Sequence, residues 1–157
     1  MQRQQLAGGD ALGCHWVIEY REYPSGARTT MLVMSRGTKR VSGGFGGPAL
    51  IASPVEVVTG SDSGWPSSVP IAAASDIARI QVTTKSAQSE QGIPLSDVHP
   101  ETGARYGAHL LPDGVDLIGV SFWREDGTGR DARLPSLPLP RPARRSAGWI
   151  ETSRTER

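Results

Sequence analysis

The sequence predicts an all-β fold, an antiparallel β-sandwich of Ig-like type with about seven short strands. Three observations support this class. Apolar and polar residues alternate in several segments, residues typical of turns separate those segments, and no window has the 3.6-residue apolar period of an amphipathic helix. The high content of 19 Gly and 12 Pro also favours short strands over long helices. A small open β-barrel is the alternative architecture.

The first strong signal is a hairpin between residues 15 and 35. Trp16, Ile18 and Tyr20 alternate with polar residues, so one face of this strand should be buried. Pro and Gly in segment 23–27 supply the turn. The returning segment, 29–35, is apolar on both faces, which predicts a more deeply buried strand.

Further strand segments follow with turn residues between them. The clearest half-buried pattern is at 78–84, and in the segment 116–123 we expect Ile118, Val120 and Phe122 to share one face. Asp-Gly followed by a second Gly in 125–129 predicts a hairpin that returns through 130–134. Two other predicted strands are 54–60 and 105–111, whereas 61–70 is predicted to be a loop and 71–74 has room for little more than a helical turn.

These patterns place one β-sandwich domain at residues 14–134. The N-terminal segment 1–13 is predicted to be disordered because it is mostly polar. The segment 135–157 begins with four prolines and a cluster of arginines, which predicts a disordered Pro/Arg-rich tail.

Composition excludes several classes of function. The 17 basic and 16 acidic residues nearly cancel, so nucleic acid is not an expected partner. The single cysteine, Cys14, rules out an internal disulfide framework. The chain has no run of about 18 apolar residues that would span a membrane and no secretory signal. We expect a cytoplasmic protein by default, or an envelope or secreted protein if the true N-terminus is longer.

No segment carries a convincing catalytic or cofactor motif. The segment 61–66 resembles the Gly-Asp-Ser-Gly-Gly-Pro signature of chymotrypsin-like proteases, but it departs at two positions and Asp76 follows Ser63 instead of preceding it. The glycine-rich segment 43–48 precedes no helix that could bind phosphate, and the acidic turns near 97–101 and 125–131 lack an EF-hand pattern. We therefore predict no cofactor and no metal.

Two tryptophans are the candidate surface-contact residues. Trp65 is flanked by Ser, Gly and Pro in a predicted loop, and exposed aromatic side chains anchor interfaces. Trp123 ends a strand and has core packing as an equal alternative, whereas Trp16 is expected to be in the core. The predicted partner is another protein, bound through these aromatics or through the proline-rich tail.

Three segments carry a resemblance to a known class of domain. Residues 76–82, 106–109 and 115–127 are similar to strands and a hairpin of small Ig-like β-sandwich domains in envelope and secreted proteins of GC-rich actinobacteria. The resemblance covers about residues 76 to 134 and implies a binding or structural module that is attached to a membrane or secretion segment.

Two functions remain open from the sequence. The first is a non-enzymatic interaction or structural module. The second is a small hydrolase or metal-dependent enzyme that uses Ser63, Asp76 and the histidines His15, His99 and His109, whose spacing matches no common ligand pair.

Overall fold

The computed structural model describes residues 1–44, 54–85, 91–112, 114–132, 134 and 149–151, and in these ranges the chain forms strands and turns without a helix. Twelve strands are present in this described part: β1 Gln2–Ala11, β2 Cys14–Glu22, β3 Arg28–Arg36, β4 Lys39–Gly44, β5 Val55–Val57, β6 Ser67–Ala74, β7 Ile77–Thr84, β8 Gln91–Gly92, β9 Ala104–Leu111, β10 Leu117–Arg124, β11 Gly129–Asp131 and β12 Trp149–Glu151. All the pairings between them are antiparallel. The predicted all-β class is confirmed, with more strands than the seven or so expected.

The strands form three sheets. Sheet A has the order β1-β2-β3-β4-β12, sheet B has the order β5-β6-β9, and sheet C has the order β11-β10-β7-β8. Two clusters of buried side chains join them. The first core, between sheets A and B, includes Ile18 and Leu32 from sheet A and Tyr106 from sheet B. The second core, between sheets B and C, includes Ile71 from sheet B and Phe122 from sheet C. Sheet B is therefore covered on both faces.

Several sequence predictions for sheets A and C are confirmed. In β2 the side chains of Ile18 and Tyr20 are buried, and β3 is buried on both faces from Thr30 to Met34. The predicted β2–β3 hairpin is closed by the Tyr23 amide, which donates to the Ala27 carbonyl at 2.8 Å. The predicted β10–β11 hairpin is also present, with Trp123 opposite Gly129.

The prediction of disorder at 1–13 was wrong. This segment forms β1, the ten-residue edge strand of sheet A, which pairs with β2 along its length. A two-residue turn connects the strands, with positive φ at both Leu12 (52°) and Gly13 (74°). Three apolar residues, Leu6, Ala7 and Ala11, pack against the first core and hold an otherwise polar strand.

The prediction of a loop at 61–70 was wrong at its C-terminal end. Residues 67–70 begin β6, and the segment 71–74 continues this strand instead of forming a helical turn. Pro70 lies within the strand because its backbone faces β5, where its carbonyl accepts a bond of 3.1 Å from the Val58 amide. A proline has no N–H to donate on that side, and β5 ends at Val57 beside it.

The prediction for Ile118 was also wrong. The β7–β10 register shifts between Leu117 and Gly119, so Ile118 leaves the alternation and is 56% exposed. Leu117 packs against the second core in its place, and Val120 and Phe122 are buried as predicted. The predicted tail 135–157 lies outside the described residues except for β12, which pairs with β4.

Candidate functional site

The candidate site is an arginine–tryptophan stack on the side of sheet C that faces away from the second core. Trp123 in β10 lies opposite Arg79 in β7, and the Arg79 guanidinium carbon is 4.1 Å from the centre of the indole ring. This distance is well within the range of a cation–π interaction. Trp123 is half-buried and Arg79 is exposed. The structure thus places Trp123 outside both cores.

Cross-strand neighbours extend this surface in rows. One row is Arg79, Trp123 and Gly129, and the next is Gln81, Ser121 and Asp131. The Ser121 hydroxyl donates to Asp131 Oδ1 at 2.8 Å. We call these six residues the outer face of sheet C. It combines an aromatic ring, a cation, a carboxylate and an amide on a sheet surface, and the partly exposed rows leave these groups accessible.

Gly129 is required for the position of the indole ring. A Cβ atom at this residue would lie 2.5 Å from the indole Nε1 of Trp123, closer than real Cβ contacts come. Any side chain here would force the ring or the strand to shift. The sequence pattern did not indicate Arg79 and Gly129, because only the strand register shows that they flank Trp123.

Trp65 is not a surface anchor, and this prediction was wrong. Its residue exposure is 8%, and its side chain belongs to the first core. Gly64 has a φ of 82°, and the Trp65 amide donates to the Asp62 carbonyl at 3.1 Å. This tight turn directs the indole inward. Arg36 stacks on the ring at 5.1 Å and donates to the Gly64 carbonyl at 3.2 Å.

Cys14 also contacts this arginine. Its thiol is buried, and a second nitrogen of Arg36 lies 3.3 Å from Sγ. Arg36 therefore joins the β2 end of sheet A to the 62–65 turn. Its contacts with Cys14, Gly64 and Trp65 give it a role in holding this edge of the first core.

A partly buried polar network lies at the opposite edge of the first core. Its centre is His99, which is 4% exposed and stacks at a tilt on Tyr20 with 4.7 Å between ring centres. His99 Nε2 is 3.1 Å from Gln4 Oε1, and Nδ1 is 3.2 Å from the Thr102 hydroxyl. We call this group the His99 network; its members are Gln4, Tyr20, His99, Glu101, Thr102 and Tyr106.

The network is a continuous series of hydrogen bonds. Nε2 of His99 faces the amide oxygen of Gln4, which is only an acceptor, so this nitrogen is the donor of the pair. Nδ1 faces the Thr102 hydroxyl, which accepts from the Tyr106 hydroxyl at 2.9 Å. The chain Tyr106–Thr102–His99–Gln4 thus connects β9 to β1.

Tyr20 connects the same turn to β2. Its hydroxyl donates to Glu101 Oε2 at 2.9 Å. Burial, together with this bond to a carboxylate, raises the pKa of Tyr20 above its ordinary value of 10.0. The turn 99–103 is also closed by its own backbone, since the Gly103 amide donates to the His99 carbonyl at 2.7 Å.

The structure does not assemble the residues of the hydrolase hypothesis into one site. Asp76 forms an ion pair with Arg124, at the β6–β7 turn. His15 forms an exposed contact with Asp10 at 2.9 Å, and Ser63 is exposed in the 62–65 turn. His109 lies in β9, where burial lowers its pKa. His99 is engaged in its network.

The acidic turns also have other roles. The amide and the hydroxyl of Thr128 both donate to Asp126 Oδ1, at 2.9 and 2.6 Å, and these bonds lower the pKa of the Asp126 carboxyl. Asp126 thus closes the β10–β11 turn. Within the described ranges, no group of three or more His, Cys, Asp or Glu is placed to hold a metal ion.

The comparisons with known proteins add no relative. The chain matches no protein-family model, no curated protein and no solved structure. In the part of the chain that the structure describes, no helix has the length and hydropathy to cross a membrane.

Proposed function

We propose that this chain is a non-enzymatic interaction module that binds another protein through the outer face of sheet C. The observation that carries the proposal is the stack of Arg79 on the partly exposed ring of Trp123. Tryptophan and arginine are the residues most enriched among those that dominate binding energy at protein interfaces.

The stack also prepares both side chains for binding. Arginine loses up to about 2 kcal/mol of rotamer entropy when it is immobilised, and a guanidinium already stacked on a ring has lost part of that freedom before the partner arrives. The contact with Gly129 limits the ring in the same way. Ser121 and Asp131 add polar groups beside the aromatic ring, as at the rim of protein interfaces.

The Ig-like class and an envelope setting belong to the same proposal. The segments that resemble actinobacterial Ig-like domains contain most of β7, part of β9 and the whole of β10. Two of these three strands are in sheet C. The resemblance and the outer face of sheet C therefore coincide in the same part of the molecule, and both favour a binding module.

A photo-crosslinking experiment in the native host tests this function. A photoreactive amino acid replaces Gln81, on the outer face of sheet C, or Lys39, an exposed residue in sheet A. We expect a covalent adduct with a defined protein only from position 81, and we expect Trp123→Ala to abolish it. Lys39→Ala is the matched control and should leave the adduct intact.

Two results would contradict the proposal. One is an adduct that forms equally from positions 81 and 39. The other is an adduct from position 81 that survives both Trp123→Ala and Arg79→Ala while the variants remain folded by circular dichroism.

A further inference from the structure

Strand β1 presents a long unpaired edge. It is the first strand of sheet A and pairs with β2 on one side, and in the described part of the chain no other strand pairs with it. Ten residues is long for an edge strand, and its sequence contains neither proline nor lysine, two of the devices that prevent edge-to-edge association. Its exposed backbone groups can therefore template another strand.

The register of sheet A shows which backbone groups face outward. The two-residue turn makes Ala11 and Cys14 a pair that exchanges backbone hydrogen bonds. The backbone N–H and C=O groups of the next residue, Asp10, therefore point away from β2, as do those of Gly8. Strand β2 pairs with β3 without a register shift, so the backbone groups of Glu19 and Arg21 point to β3 and not to β1. The backbone groups of the residues opposite them, Gln5 and Arg3, therefore point away from β2 as well. The shift at Leu6 explains the three-residue step from Gln5 to Gly8.

The same four residues share one side of the sheet. A Cβ atom at Gly8 would lie 2.9 Å from the side-chain nitrogen of Gln5, which places Gln5 over Gly8. Leu6, Ala7 and Ala11 pack against the first core, on the other side. Four residues thus have outward backbone groups and lie on the solvent side of the sheet. We call them the β1 edge: Arg3, Gln5, Gly8 and Asp10.

The β1 edge is complementary to itself. In an antiparallel pairing that sets Arg3 of one copy opposite Asp10 of the other, Gln5 falls opposite Gly8, so all four residues are matched with one another. No other antiparallel register does this. Two opposite-charge pairs form across the axis, and the Gln5 side chain lies beside a residue without a side chain. Asp10 Oδ1 contacts His15, which leaves Oδ2 for the arginine.

We propose that two copies of this chain pair along β1 in this register, with the two-fold axis between Leu6 and Ala7, to form one continuous ten-stranded sheet. The interface is on sheet A and is separate from the outer face of sheet C, so each copy keeps its partner-binding surface. The dimer would present two copies of the Arg79–Trp123 stack to a partner.

Charge reversal at the β1 edge tests the register. Sedimentation velocity of the full chain over a concentration series should show a monomer–dimer equilibrium. Arg3→Asp and Asp10→Arg each turn two attractive pairs into repulsive ones and should raise the dimer Kd about tenfold or more. The double variant R3D/D10R restores opposite charges and should return the Kd toward the wild-type value, while Lys39→Glu is the control and should leave it unchanged.

A proline variant tests the backbone pairing itself. The Gln5 amide faces away from β2, so Gln5→Pro removes a donor of the dimer ladder without breaking the β1–β2 ladder. We expect a folded monomer at concentrations where the wild type is dimeric. A wild-type chain that is monomeric throughout, a dimer that both single reversals leave intact, or a folded dimeric Gln5→Pro variant would each overturn the proposal.

Discussion

The two cores on either side of sheet B differ in chemistry. The second core, toward sheet C, consists only of aliphatic residues and Phe122. The first core, toward sheet A, contains Cys14, Trp65 and Tyr106 and is bordered by Arg36 at one edge and by the His99 network at the other. The comparison indicates two ways to hold a layer. Sheet C is held on sheet B mainly by aliphatic packing, with the Arg105 guanidinium of β9 donating to the Ile77 carbonyl of β7 at 2.6 Å. Sheet A is held on sheet B by packing together with the side-chain hydrogen bonds around His99.

The largest expected effect on stability is that of Trp65→Ala, and Trp123→Ala is its comparison. Trp65→Ala removes a buried indole from the first core and should lower the free energy of unfolding by about 3–5 kcal/mol. Trp123→Ala removes a half-buried ring from the outer face of sheet C and should cost only about 1 kcal/mol. Chemical denaturation of both variants measures the difference. Equal losses would show that Trp123 is a core residue and would remove the basis for the proposed site.

The next effect concerns the polar edge of the first core. His99→Phe keeps an aromatic ring beside Tyr20 but removes the hydrogen bonds to Gln4 and Thr102, which should cost about 1–3 kcal/mol. Val98→Ala is the neighbouring control, since Val98 is 44% exposed, and it should change stability little. A His99→Phe variant as stable as the wild type would mean that the network does not fix the first core.

The pH dependence of stability tests the contribution of Tyr20 at the polar edge of the first core. Because the pKa of Tyr20 is raised in the folded protein, the unfolded chain releases this proton first, at its ordinary value of 10.0. The stability contributed by the protonated Tyr20 is therefore complete below that pH and is lost as the pH rises through the folded-state pKa. Tyr20→Phe should show a smaller fall in unfolding free energy above pH 10 than the wild type. Parallel curves for the two proteins would contradict this assignment.

The smallest expected effect is a gain in stability from a substitution in the β1–β2 turn. Leu12 adopts a left-handed φ of 52° in the β1–β2 turn, a conformation that costs most side chains about 1 kcal/mol. Leu12→Asn creates the Asn-Gly pair that such turns prefer and should raise the free energy of unfolding by about 0.5–1 kcal/mol. Leu12→Val is the opposing control and should be destabilising. Thermal unfolding of the three proteins tests this order.

The sequence predicted the strands that have one buried and one exposed face. In β2 and β7, alternation reports the face because only one side is covered, as for Ile18, Ile80 and Val82. Strand β6 has no alternation because both its faces are buried, and Pro70 added a false loop signal. Strand β1 was missed for the opposite reason, since few of its side chains are apolar and its turn lacks the common Asn-Gly signature.

The candidate site could be predicted only in part. The sequence singled out Trp123, but its stacking on Arg79 depends on the β7–β10 register, which residues 44 positions apart do not reveal. Trp65 shows the converse problem. Its Ser, Gly and Pro neighbours correctly predicted a turn, yet whether a turn directs an indole inward depends on the sheets around it.

The position of β6 between two cores is the claim on which the architecture rests, and native-state hydrogen exchange tests it most directly. The amides of Ile71, Ala72 and Ala73 should be among the slowest to exchange in the molecule, because they are bonded to β9 or β5 and covered on both faces. Exchange of these amides as fast as that of the exposed edge strand β11 would contradict the three-sheet arrangement.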